Sequence, residues 1–157
     1  MPLTFPDGQA FATGAAPYGY RSATPQETTP RVVLSVEIEG FKTEAMVDTG
    51  GVFLVCHPEV ALQARLETSD AVSDTLEILF RGVFVRGRLY RLNLTLVAEI
   101  GTTLDFQATV FVPESEDAEQ WGEIPSILGM YGCLERIRFA VDPDTETFYF
   151  GPTASAS

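Results

Sequence analysis

Histidine occurs once in this sequence, cysteine twice, and lysine and arginine together ten times against 22 acidic residues. Each scarcity excludes a class of function. Nucleic-acid binding needs clustered cations to neutralise phosphates, and a net charge of −12 with so few basic residues argues against it. Cys56 and Cys133 stand far apart, with no CxxC pair and no second histidine, so a zinc site is not expected. They read as buried free thiols rather than as a disulfide. A Ser-His-Asp triad would have to use His57, which precedes a proline and has no serine in a nucleophile elbow near it. His57 reads instead as a residue flanking a helix.

No stretch approaches the roughly 18 apolar residues of a membrane span, and MPLTFPDGQAF lacks the basic and apolar regions of a signal peptide. The expectation is a cytoplasmic chain without membrane or nucleic-acid partners. At 157 residues with 45% apolar content, it suits a single domain with a real core.

What is present is mostly β pattern. Residues 1–30 hold five of the ten prolines, three glycines and only three charged residues, Asp7, Arg21 and Glu27, and read as an extended or disordered arm. From Arg31 the period becomes two: Val32, Leu34, Val36 and Ile38 alternate with Val33, Ser35, Glu37 and Glu39. After Gly40, residues 41–47 form a second strand that delivers Asp48, and a third apolar run covers 52–56. His57-Pro58-Glu59 opens a short helix reaching about Leu66, with proline early and an acid in the first turn.

A polar loop follows to Thr75. Strands are expected over 76–85 and 89–98, with Gly82 and Gly87 marking a turn between Phe80 and Arg88, and over 104–112 before Pro113. Residues 114–123 read as an acidic surface loop without the D-x-D-x-D-G spacing of a calcium site. A short helix near 131–136, strands at 137–141 and 147–150 around the turn Asp142-Pro143-Asp144-Thr145, and a flexible tail at 152–157 complete the pattern. Many short strands punctuated by Gly and Pro indicate an all-β barrel or sandwich with one or two short helices.

Asp48 is the residue with chemical promise. Alone, Asp-Thr-Gly is a weak signal, and an acid at a strand end can simply accept backbone N–H bonds. Its setting is more specific: "VDTG" at 47–50, the glycine-bearing hairpin between about Leu76 and Tyr90, "ILG" at 127–129, and the closing "RFAVDPDTETFYFG". In this order they resemble the retropepsin-like aspartic proteases, single-domain enzymes that work as homodimers. The resemblance covers residues 31–151 and implies a closed barrel of the acid-protease type, with the arm at 1–30 outside it.

The resemblance implies roles. Hydrolysing an amide needs a base to activate water and an acid to protonate the leaving group. Two adjacent carboxyl groups supply both, because like charges so close share one proton. One Asp48 from each subunit, meeting at a two-fold axis, would form that pair. Thr49 would bond across the axis, and Gly50 would bring its backbone N–H to the carboxylate without a Cβ in the way. Ile127, Leu128 and Gly129 would brace the catalytic loop, and Gly82, Val83, Phe84 and Val85 would form the flap over an extended peptide or protein substrate. No metal and no cofactor is implied. Gly51 departs from the usual Ala or Ser, and Met130 from the polar residue often found after Ile-Leu-Gly. These departures, with Arg81, Arg86, Arg88 and Arg91 in the flap region, keep open an alternative: a dimerisation or peptide-binding module of the same fold with little activity. A β-barrel ligand binder with a chance Asp-Thr-Gly would leave the Ile-Leu-Gly unexplained.

Overall fold

A computed structural model describes residues 3–114 and 121–154. Residues 115–120 of the acidic loop and 155–157 of the tail therefore lie outside the described residues, while Pro152, expected in the tail, ends the last strand. The rest is predominantly β, with one α-helix, as the two-residue periodicity indicates.

The strands are β1 (Gly14–Pro17), β2 (Gly19–Ser22), β3 (Pro30–Ile38), β4 (Phe41–Val52), β5 (Leu54–Val55), β6 (Leu76–Phe80), β7 (Val83–Leu96), β8 (Ile100–Gly101), β9 (Leu104–Pro113), β10 (Ser126–Tyr131), β11 (Ile137–Asp142) and β12 (Thr147–Pro152), with helix α1 at Pro58–Gln63. They form a four-stranded sheet, β11-β12-β1-β8, and an eight-stranded sheet, β2-β3-β4-β10-β5-β9-β7-β6. Glu37↔Thr95 and Ile38↔Leu94 pair β3 with β7, turning six strands of the larger sheet into a ring. Closure rests on those two residue pairs, so the expected barrel is present only as this narrowly closed ring.

Two hairpins have two-residue turns; the first follows the turn expected at Gly40, and the second breaks the strand expected over 76–85. Glu39-Gly40 joins β3 to β4 and Arg81-Gly82 joins β6 to β7, each with positive φ at both central residues. Two-residue loops of the primed type need that geometry, which follows the right-handed twist of the strands. Gly87, expected near a turn, instead lies inside β7 opposite Pro113. A Cβ there would sit 2.3 Å from the Val112 carbonyl oxygen, so the glycine permits a close strand contact. The third apolar run shrinks to two residues because Phe53 takes φ 61°, while β4 continues through Val52. The helix expected near 131–136 is a single 3-10 turn at Leu134–Arg136.

The segment before Arg31 is a correction. Rather than standing outside the domain, it contributes β1, paired with β12 and β8, and β2, paired with β3. Ala12, Ala15, Tyr18 and Ala23 are buried. Small residues hid this from a hydrophobic pattern: a Cβ on Gly14 would lie 2.3 Å from the Thr102 carbonyl oxygen and 2.6 Å from the Phe150 ring. Backbone pairing, not side-chain periodicity, anchors this stretch.

The main core gathers Val36, Ile38, Leu54, Leu94, Val110, Leu128, Phe148 and Phe150. Cys56 and Cys133 belong to it as free, fully buried thiols, and burial pushes both up to about 12. A second cluster (Met46, Val55, Ile78, Val85, Phe111, Trp121 and Ile127) lies beneath the β6–β7 hairpin. No helix among the described residues is long and apolar enough to cross a membrane.

Candidate active site

Asp48 is carried by β4 after the buried Ala45 and Met46. β10 runs parallel to β4, with Ile127↔Met46, Leu128↔Val47 and Gly129↔Asp48 in register. The same strand pairs on its other edge with β5, through Ile127↔Val55 and Leu128↔Leu54. Ile127 and Leu128 are buried. Their side chains anchor a strand whose next residue, Gly129, lies directly beside the catalytic candidate.

Gly129 is glycine for a steric reason. A Cβ there would approach the Phe53 carbonyl oxygen to 2.4 Å and the Val52 carbonyl carbon to 2.7 Å. Its N–H donates to that Phe53 oxygen at 2.8 Å, and the Phe53 N–H donates to the Tyr131 carbonyl at 2.7 Å. The loop Asp48-Thr49-Gly50-Gly51 is thereby tied to β10 through backbone alone. Met130 falls where the β4–β10 register shifts, part-buried against the main core.

The Gly50 N–H donates to Asp48 Oδ1 at 3.1 Å. Gly51 also faces the carboxylate: a Cβ there would lie 3.3 Å from Oδ2 and 3.5 Å from Cγ. Any side chain at 51 would therefore bear on the acid itself. Thr49 is exposed, and its hydroxyl has no hydrogen-bond partner among the described residues.

Asp48 opens into a cleft of about 380 Å³ lined by Met46, Val55, Ile78, Phe80 and Ile127, with Arg31 and Arg81 as its cations. The hairpin meets this cleft with its β6 side, at Ile78, Leu79, Phe80 and Arg81. Gly82 forms the tip, Val83 and Phe84 are exposed, and Val85 is buried in the cluster below; none of these four lines the cleft. The tip is held down twice. Arg81 forms an ion pair with Glu27, and the Phe80 ring stacks on Trp121 with centroids 4.6 Å apart and planes 12° from parallel. Sequence reasoning missed Arg31, Glu27, Phe80 and Trp121. Only Trp121, the single tryptophan of the chain, carried a compositional signal.

His57 caps α1: its Nδ1 accepts the Glu59 N–H at 3.1 Å, and its own N–H donates to Ser126 Oγ at 2.9 Å. Asp142 accepts the Asp144 N–H and the Thr145 hydroxyl, both at 2.9 Å. Those bonds hold its carboxyl below the usual range and account for the acid as a turn former.

No protein-family model matches the chain, and no curated protein matches it. Among solved structures, 18 chains match. One is the crystal structure of a retropepsin-like aspartic protease from Rickettsia conorii, with a TM-score of 0.56 and 20% identity, covering 89% of this chain and 94% of that one. The chain shares the fold of that protease. Because 89% of 157 residues exceeds the whole span 31–157, the match also takes in part of the segment before Arg31.

Proposed function

We propose that this chain is an aspartic endopeptidase whose active site forms at a homodimer two-fold axis, with Asp48 of each subunit sharing one proton. One carboxylate takes a proton from the attacking water while the other carboxyl protonates the leaving amine, and the roles then exchange. The protons belong to the pair rather than to either residue. The substrate lies extended beneath the β6–β7 hairpin, adding backbone hydrogen bonds as a strand would, with its side chains against Met46, Val55, Ile78 and Ile127.

The observation that carries this reading is the placement of Asp48. Its carboxylate is held by the Gly50 N–H in the Asp48-Thr49-Gly50-Gly51 loop, beside a cleft roofed by a hairpin. The fold likeness to a retropepsin-like protease supports it. A structural acid at a strand end would need neither the cleft nor the roof.

Cleavage of an unfolded protein across pH 3–8 tests the reading, wild type against Asp48→Ala. Cleavage that the substitution abolishes is expected; cleavage unaffected by it, or none under any condition, overturns the reading. Sedimentation at micromolar concentration is expected to give a dimer, and a strict monomer would exclude a shared pair.

A further inference from the structure

Three arginines stand near the Asp48 cleft and the strands that enter it, and two already have an acid. Arg21 pairs with Glu44, and Arg81 pairs with Glu27. Arg31, which faces Arg21 across the β2–β3 pairing, is different. It lines the cleft with Asp48, and its Nε is buried without a hydrogen-bond partner. No ion pair or side-chain hydrogen bond engages it among the described residues. Glu27 Oε2, in the ion pair that holds the hairpin tip, is likewise buried without a hydrogen-bond partner, so Arg31 does not take it.

A guanidinium cannot escape this cost by losing its proton. A buried donor left unmade is costly, and buried charges are normally paired. Asp48 is the one carboxylate among the residues that line the cleft; its Oδ1 accepts the Gly50 N–H, and it forms no ion pair with Arg31. What the site lacks is a carboxylate arriving from outside, able to take Nε and a terminal nitrogen side by side in the bidentate geometry that guanidinium favours.

We infer that Arg31 is a specificity-determining residue, selecting substrates that carry an aspartate or glutamate side chain within a few residues of the bond presented to Asp48. This rests on the protease reading for its extended peptide, but not on turnover. Because Asp48 is itself acidic, the selected side chain lies toward Arg31 and away from the reacting centre. The chain's net charge of −12 repels acidic peptides in general, so this preference is a local feature of the cleft and not of the surface.

The test measures binding to the Asp48→Asn chain, so that no peptide is consumed. The probes are decapeptides with blocked termini, each carrying one Glu, Gln or Lys at a scanned position in an alanine and leucine background. At one position Glu is expected to bind about tenfold or more tighter than Gln. Adding Arg31→Gln should bring that ratio within about twofold, Arg31→Lys should keep part of it, and Arg31→Glu should turn the preference to Lys. Thermal melts identify any variant that fails to fold, and the charge-retaining Lys variant then carries the comparison. A Glu/Gln ratio that Arg31→Gln leaves unchanged, or no position showing selectivity, overturns the inference. So does a dimer that Arg31→Gln dissociates, since the carboxylate would then come from a second copy of this chain. If the selectivity appears but the unsubstituted chain cleaves nothing, the inference stands and the protease reading falls.

Discussion

Gly129 lies in register opposite Asp48 across the parallel β4–β10 pairing, and its missing side chain leaves room for the Phe53 carbonyl oxygen, to which its own N–H donates. The Ile-Leu-Gly at 127–129 is thus a packing requirement of the acid's loop: two buried anchors and one position where only backbone fits.

Gly129→Ala should test this. Its Cβ would meet backbone, which cannot turn aside as a flexible side chain can, and such overpacking costs typically about 1–3 kcal/mol. Gly82→Ala is the control: nothing lies within 4 Å, but its φ of +82° remains unfavourable for alanine, at about 1–2 kcal/mol. Chemical denaturation should show both losses. Only Gly129→Ala should also change hydrogen exchange in residues 48–53.

Asp48→Asn should preserve the fold, because the amide oxygen still accepts the Gly50 N–H and the site is part-exposed. Cleavage should fall by at least about 10²–10⁴-fold, the ordinary contribution of general acid–base catalysis. Gross unfolding in circular dichroism would instead make Asp48 a structural acid.

The hold on the β6–β7 hairpin should be separable from the core. Glu27→Gln removes the anion facing Arg81 while leaving the Phe80–Trp121 stack. Amide exchange in residues 79–83 should speed up several-fold, with little change in the global melting midpoint. Trp121→Ala deletes a large buried ring and should cost about 3–5 kcal/mol, consistent with other buried aromatics.

Cys56 and Cys133 should react with a thiol reagent only on unfolding, two per chain. Burial disfavours their charged form and raises both from 9.0 to about 12. A group raised on folding contributes stability that is complete below the unfolded value and lost as pH climbs toward the folded one. Thiol-linked stability should therefore decline between about pH 9 and 12, and denaturant midpoints across that window should show it. Replacing both cysteines by alanine should flatten this decline, beside the independent cavity cost.

Much of the architecture was legible. The alternation from Val32 to Ile38, the glycine at 40 and the apolar approach to Asp48 state a hairpin locally, because period two and positive φ are properties of the residues themselves. The segment 14–22 was illegible for the converse reason. Gly14, Ala15 and Ala16 carry no periodic apolar signal, and their place follows from the backbone of β12. Arg31 looked like the first residue of a strand, and nothing in its neighbours along the chain reveals that its Nε is buried without a partner.

By itself, the sequence determined the all-β class, the turn at Gly40 and the order of Asp-Thr-Gly before Ile-Leu-Gly. These depend on side-chain alternation and backbone freedom, which act over a few residues. Tertiary structure alone decided that Gly129 abuts Asp48, that the β6 side of the hairpin faces the acid, and that Arg81 is paired while Arg31 is not. Those outcomes depend on which strands become neighbours across about 30 to 80 residues of chain. Burial and charge compensation are properties of that proximity and not of any stretch of sequence.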